Sequence, residues 1–259
     1  ISHSLSPLIH NGWLRDLGID ATYEAFHVPD EAFAGALQTL QERGAIGLNI
    51  TLPHKAAALA AARGAGMAAA RIGAANTLTH LGDGAWRADN TDAPGFMRAL
   101  GPVDPNKDRA LILGAGGSAR AIVFALTNAK IPVIILNRTE ARAAELGDAL
   151  GDTQTVYGSI DQYNEYIDQA TIVINTTSMG YSGETLDLPA GDGRTFYDIS
   201  YGKICDAQLA HARKQGWQTK DGLSMLVAQA ALSFEIWFQV LPDLDSGLHR
   251  CRFALQAAS

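Results

Sequence analysis

Cysteine is scarce in these 259 residues: Cys205 and Cys251 stand far apart, outside any metal-ligand spacing, and leave no disulfide framework or thiolate zinc site. The seven histidines include no H-x-x-x-H pair, so no metal is expected. No apolar run approaches the roughly 20 residues that a membrane span requires, which excludes a membrane partner from the reading. A G-x-x-x-x-G-K-(S/T) phosphate loop and a G-x-S-x-G nucleophile elbow are both missing. Basic charge is also short, with 20 Lys and Arg against 27 Asp and Glu and a net charge of −7. Nucleic-acid binders need a basic face, so that class is set aside too. The chain opens on Ile1-Ser2-His3 without an initiator Met or signal peptide, and a reduced, cytoplasmic protein is expected.

Apolar residues, by contrast, make up 47% of the chain, enough for a sizeable core. Its most informative stretch begins at Arg109, where Arg109-Ala-Leu-Ile-Leu113 suits a buried parallel strand. Gly114, Ala115, Gly116, Gly117, Ser118 and Ala119 follow at once and lead into a helix. A G-x-G-x-x-(G/A) pattern between a strand and a helix fits a dinucleotide site. Gly114 allows the tight turn, Gly116 lets a pyrophosphate approach the backbone, and Ala119 lets helix and strand pack closely. The helix N-terminus offers free N–H groups and the positive end of its dipole to phosphates.

About 20 residues on, an NAD site places Asp or Glu against the adenosine ribose. Here the next strand, Ile131 to Leu136, ends in Asn137-Arg138-Thr139, with Arg142 one turn further. Two guanidiniums and a hydroxyl suit a 2′-phosphate, which points to NADP. Both arginines lie near a helix N-terminus, where the dipole opposes a cation, so a purely structural role suits them poorly.

Strands and helices alternate on both sides of Gly101-Pro-Val-Asp-Pro-Asn106, the best linker in the chain. The expected fold is α/β in two domains. A doubly wound, Rossmann-type NADP domain covers 101–222. An α/β substrate domain with a mainly parallel sheet covers 1–100 plus 223–259, its sheet completed by C-terminal helices that are too apolar to stand alone. In the first domain Ser6 is expected to cap a helix with Pro7 at its first position. A strand is expected over 22–28, and a cap from Thr91 or Asp92 on a helix ending near Leu100.

The same domain concentrates polar residues at turns and element ends. Ser4 and Ser6 precede a helix, where hydroxyls and a dipole suit a carboxylate. Gly47-Leu-Asn49-Ile-Thr51-Leu-Pro-His-Lys55 ends in a lysine at a helix start, an electrostatically poor place for a structural cation. Asn76-Thr77 and Asn90-Thr91-Asp92 add amides, hydroxyls and one carboxylate.

Taken together, these motifs resemble the shikimate dehydrogenase family. The resemblance rests on His3-Ser-Leu-Ser-Pro-Leu-Ile-His-Asn11, Gly47 to Lys55, Ile72-Gly-Ala-Ala-Asn-Thr77, Asn90-Thr-Asp92 and the glycine turn. Asn137-Arg-Thr139, Asn175-Thr-Thr-Ser178, Asp198-Ile-Ser-Tyr201 and Gly222-Leu-Ser-Met-Leu-Val-Ala-Gln-Ala230 complete it in the family's order. It implies NADP-dependent, reversible reduction of 3-dehydroshikimate to shikimate. By motif match Lys55 and Asp92 are the catalytic pair. Ser4 and Ser6 hold the substrate carboxylate with Tyr201 nearby, and Asn49, Thr51, Asn76, Asp92 and Gln229 hold the ring hydroxyls. Thr176, Ser178 and Met179 line the cofactor cleft, with Gly222 and Met225 near the nicotinamide. Two features depart from the family pattern. Lys203 and Asp206 replace its usual proline and threonine after Tyr201, and its usual N-terminal strand is expected to precede Ile1.

Two other readings differ in testable ways. An NAD-dependent quinate/shikimate enzyme usually carries an acid near Asn137-Arg138 and often threonine at the second serine; Arg138 and Ser6 point away from it. A non-catalytic NADP sensor would not need Lys55 and Asp92, and both are present. Monomer and homodimer are equally compatible with the sequence.

Overall fold

The computed structural model describes residues 4–257, which divide into two compact units. One comprises the chain up to Gly95 together with the segment from Leu226 onward; the other runs from Phe96 to Met225. The chain passes from one unit to the other inside two helices, Asp92–Leu100 and Leu223–Phe238.

The first unit opens with helix α1 (Ser6–Asp16), followed after an irregular stretch by α2 (Phe33–Glu42). Strand β1 (Gly47–Asn49), α3 (Lys55–Ala61), β2 (Gly64–Ala65) and α4 (Met67–Ile72) come next. Strands β3 (Thr77–His80) and β4 (Trp86–Asp89) form a hairpin leading into α5 (Asp92–Leu100). The sheet order is β1-β3-β4-β2. Its β1–β3 and β3–β4 pairings are antiparallel and only β2–β4 is parallel, which corrects the mainly parallel sheet expected for this domain. For β3–β4 the reason is local: Gly82 and Gly84, both at positive φ, turn the chain back in a hairpin, and a hairpin makes antiparallel neighbours. Phe33 and Leu37 of α2 and Ala58 of α3 pack with Leu78 and Trp86 of the sheet to form the core.

No strand forms over 22–28. The backbone of Tyr23 is paired instead with a side chain: Asn11 Nδ2 donates to its carbonyl at 2.8 Å, and its N–H donates to Asn11 Oδ1 at 2.9 Å. An extended sequence pattern fixes an extended chain but does not supply the neighbouring strand that a ladder requires.

The second unit has six parallel strands: β5 (Ala110–Leu113), β6 (Val133–Asn137), β7 (Val156–Ser159), β8 (Ile172–Asn175), β9 (Thr195–Asp198) and β10 (Gln218–Lys220). Their order is β10-β9-β8-β5-β6-β7, so strand order reverses at β5. The connecting helices are α6 (Gly117–Asn128), α7 (Glu140–Leu150), the single turn α8 (Tyr163–Tyr166) and α9 (Lys203–Lys214). All four residues of β5 are buried, as a central parallel strand covered on both faces must be. In open α/β sheets ligands bind outside the carboxyl ends of the strands at such a reversal.

Helix α10 (Leu223–Phe238) returns the chain to the first unit and α11 (Leu244–Ala257) closes it. Phe234 of α10 meets Trp13 of α1 edge to face at 5.8 Å, and Trp13 Nε1 donates to the Asp243 carbonyl at 2.8 Å. Gly95 lets α5 and α10 approach closely, since a Cβ there would lie 2.8 Å from the Gln229 backbone. No helix among the described residues is long and apolar enough to cross a membrane.

His10 of α1 is buried, stacked on Tyr23 at 4.2 Å and set edge-on to Trp13 at 5.7 Å. Burial lowers its pKa from 6.5 to about 3, against a smaller opposing effect of the neighbouring Asn49 side chain. The folded state therefore refuses a proton that the unfolded chain accepts once the pH falls below 6.5. Stability attributable to His10 is complete above that pH and is lost progressively between 6.5 and 3. A loss of about 2 kcal/mol by pH 5 is expected from this residue. Thermal melts across this range should show it, and H10Q should have a flatter profile below pH 6.5.

Candidate active site

The turn between β3 and the segment before it places Asn76 at the centre of a polar cluster in the first unit. Lys55, the first residue of α3, and Asp92, the first of α5, meet there with Nζ and Oδ2 2.6 Å apart. Their side chains are only 11% and 10% exposed, so this ion pair is largely shielded from solvent. The dipole of α5 favours the Asp92 carboxylate at its N-terminus, whereas that of α3 opposes the Lys55 cation at its own. The lysine is held in place by its carboxylate partner.

Asn76 Nδ2 lies 2.9 Å from Asp92 Oδ1, 2.9 Å from Thr91 Oγ1 and 3.1 Å from Gln229 Oε1. Its Oδ1 accepts from the Thr91 N–H at 2.7 Å and from the Thr77 hydroxyl at 3.1 Å. The cap expected from Thr91 or Asp92 is supplied by Asn90 instead. Its Oδ1 accepts from the N–H groups of Asp92 and Ala93, at 3.1 and 3.3 Å. A short amide at this position reaches the first-turn donors and leaves the Asp92 carboxylate to face Lys55 and Asn76.

Ser6 begins α1, and Leu5 occupies the N-cap without a side-chain cap bond, a one-residue shift from the expected cap. The Ser6 N–H donates to Ser4 Oγ at 3.3 Å, so the two serines sit together at the helix start. Asn49 ends β1, its Nδ2 donating to Ser233 Oγ at 2.8 Å and its Oδ1 accepting from the Tyr23 hydroxyl at 3.0 Å. Thr51 is exposed two residues later. The structure thus gathers Lys55, Asp92, Asn76 and Gln229 into one hydrogen-bonded group, and links Asn49 to its Thr77 and Thr91 members through Ser233.

Two participants escape a reading of the sequence: Tyr23 and Ser233. Ser233 was accessible in principle, because it lies four residues after Gln229 and therefore on the same face of α10. It is fully buried, and its hydroxyl donates to the Gln229 carbonyl at 2.9 Å.

In the second unit, the turn from β5 into α6 has Gly114 at φ +107°, where a Cβ would meet Thr176 Oγ1 at 2.5 Å. Gly116 has open space where its Cβ would stand and is the uncapped residue preceding α6. Ala115, Gly117 and Ser118 complete the turn, and Ala119 is fully buried. These features fit a pyrophosphate: the backbone is bare, and the first-turn N–H groups have no side-chain cap. Asn137, Arg138 and Thr139 follow β6; Arg138 and Arg142 are exposed, and Asn137 Nδ2 donates to the Thr139 carbonyl at 2.9 Å.

After β8, Asn175 is buried and its Nδ2 donates to Asp198 Oδ2 at 2.8 Å. Its Oδ1 accepts from the Thr177 N–H and hydroxyl, at 3.1 and 2.7 Å, and so shapes the loop carrying Thr176, Ser178 and Met179. Asp198 in turn accepts from the Ser200 N–H at 2.9 Å and from the Ser200 hydroxyl, one residue before Tyr201. Gly222 is required by close packing, since a Cβ there would collide with the Ile199 carbonyl. Met225 is buried three residues on. Among the described residues no group of three or more His, Cys, Asp or Glu side chains could hold a metal. His3 lies outside the described residues.

Three family models match the chain: a shikimate dehydrogenase substrate binding domain over residues 1–78, shikimate / quinate 5-dehydrogenase over 99–182, and a shikimate 5′-dehydrogenase C-terminal domain over 222–247. A shikimate dehydrogenase (NADP(+)) of Hyphomonas neptunium is 47% identical over 261 residues, covering all of this chain and 96% of that protein. One from Brucella canis is 42% identical, covering 96% and 89%. Among solved structures, shikimate 5-dehydrogenase from Thermus thermophilus in complex with NADP(H) and shikimate superposes with a TM-score of 0.86 at 36% identity. That match covers 98% of this chain and 95% of the Thermus one.

Proposed function

The chain belongs to the shikimate dehydrogenase family, and we propose that it interconverts 3-dehydroshikimate and shikimate with NADP as its cofactor. The observation that carries the chemistry is the shielded Lys55–Asp92 pair hydrogen-bonded through Asn76. NADP, when bound, supplies the hydride for the ketone or accepts it from the alcohol. The chain's own residues handle the oxygen. As the ketone is reduced, negative charge develops on that oxygen, and the Lys55 ammonium stabilises it and delivers a proton. In the alcohol direction the hydroxyl proton leaves toward the same pair. Asp92 orients Lys55 and, with Asn49, Thr51, Asn76 and Gln229, receives the ring hydroxyls. Ser4 and Ser6 hold the carboxylate, and Tyr201 is a further substrate-binding residue.

Gly114, Ala115, Gly116, Gly117, Ser118 and Ala119 would cradle the cofactor's pyrophosphate, and Asn137, Arg138, Thr139 and Arg142 its 2′-phosphate. Thr176, Ser178, Met179, Gly222 and Met225 would line its nicotinamide half. In this reading the unit from Phe96 to Met225 is the NADP domain and the other is the substrate domain. The protein acts in the cytoplasm on small molecules, as a monomer or homodimer, without nucleic-acid or membrane partners.

Absorbance at 340 nm, with shikimate or quinate paired with NADP or NAD, tests the reading. Shikimate with NADP should be fastest, by about tenfold or more over every other pairing. Equal rates with quinate or NAD would move the protein to the quinate/shikimate class. Cofactor binding without turnover in any pairing would make it a sensor.

A further inference from the structure

His10 and Asn11 belong to the serine-containing motif at the chain's start, yet neither has a place in the chemistry above. Both act on Tyr23. Asn11 pairs with the backbone N–H and carbonyl of Tyr23 through its amide, at 2.9 and 2.8 Å. The His10 ring lies flat against the Tyr23 ring, 4.2 Å between centroids and 3° between planes. A residue in an irregular segment is thereby fixed at both backbone and side chain.

The fixed hydroxyl donates to Asn49 Oδ1 at 3.0 Å. Asn49 is gripped at its far end as well, by Ser233 Oγ at 2.8 Å, so its amide has a single orientation. Tyr23 therefore joins α1, through His10 and Asn11, to the end of β1, where Asn49 faces the ring in the reading above.

We propose that the Tyr23 hydroxyl is a positioning group for substrate binding, setting Asn49 at the ring end of the substrate, with His10 and Asn11 as its seat. This rests on the assignment of shikimate as substrate. The role suits tyrosine: burial pushes the phenol well above its ordinary range, which keeps it a donor at every working pH. Phenylalanine would keep the stacking on His10 and lose only the hydrogen bond to Asn49.

The test is Y23F in the full chain, with shikimate and NADP titrated separately and a thermal melt alongside. The expected result is a KM for shikimate raised about tenfold, the size of effect that follows from leaving a polar partner unpaired. Turnover should change by less than about threefold and the KM for NADP by less than about twofold, with a melting temperature lowered by only a few degrees as Asn49 Oδ1 loses its donor. N11A should reproduce the rise in KM, because it loosens the seat. A KM for shikimate within twofold of the parent's would overturn the proposal. So would a lowered melting temperature with parallel losses in turnover and NADP binding, which would make Tyr23 merely structural. If the parent itself fails to oxidise shikimate, the functional reading falls and this inference with it.

Discussion

K55A should lower turnover of shikimate by about 10³-fold while leaving the affinity for NADP within about twofold of the parent's. Two effects combine in this figure. The reacting oxygen loses the cation facing its developing charge, and it loses the group that holds its proton. Losing a single preorganised donor costs roughly 10²- to 10³-fold, and losing positioned proton transfer a similar factor. The two overlap in one residue and do not multiply fully. Steady-state rates at 340 nm and a fluorescence titration of NADPH measure both quantities. Stability should fall as well, because Asp92 loses its 2.6 Å partner in a shielded site. Breaking a buried pair costs about 3 kcal/mol or more, so the assay temperature must lie well below the variant's melting point. Turnover within tenfold of the parent's would remove Lys55 from the chemistry.

Replacing Arg138 and Arg142 together with alanine should raise the KM for NADP by about 10²-fold and leave that for NAD nearly unchanged. Each guanidinium offers charge-assisted hydrogen bonds to a phosphate, worth about 1.5–3 kcal/mol apiece, discounted here because both side chains are exposed. NAD lacks the phosphate and so loses nothing. The double variant should thus lose its cofactor preference without losing its catalytic competence at saturating cofactor. Rising ionic strength should reproduce the trend in the parent, weakening NADP more than NAD. If both cofactors weaken equally, the arginines act on the pyrophosphate or on folding and not on the ribose.

Much of the architecture that these experiments probe is written locally in the chain. Ala110 to Leu113 is an uninterrupted apolar run and becomes a fully buried central strand. Gly114 to Ala119 turns that strand into a helix, as the residue sizes alone require. Asn137-Arg138-Thr139 stands at the end of the second strand because its distance from the glycines is fixed by one helix and one strand. Lys55 and Asp92 are marked by their motifs, as are the amides around them. In each case the determining contacts lie within one element or between successive ones, and periodicity, turn chemistry and spacing express them.

Tertiary structure decided the rest. The stretch over 22–28 reads as a strand, yet the backbone of Tyr23 pairs with an asparagine side chain from α1. The first-unit sheet is largely antiparallel because a hairpin, not a helical crossover, joins β3 to β4. Ser233 bonds to Asn49 across 184 residues of sequence, and Gln229 reaches Asn76 across 153. Both contacts depend on α10 packing beside α5 at Gly95, where a side chain would collide with its neighbour. Sequence pattern specifies which face of a helix is buried. It does not specify which distant polar group that face will meet, because the meeting is fixed only when two separately formed elements pack.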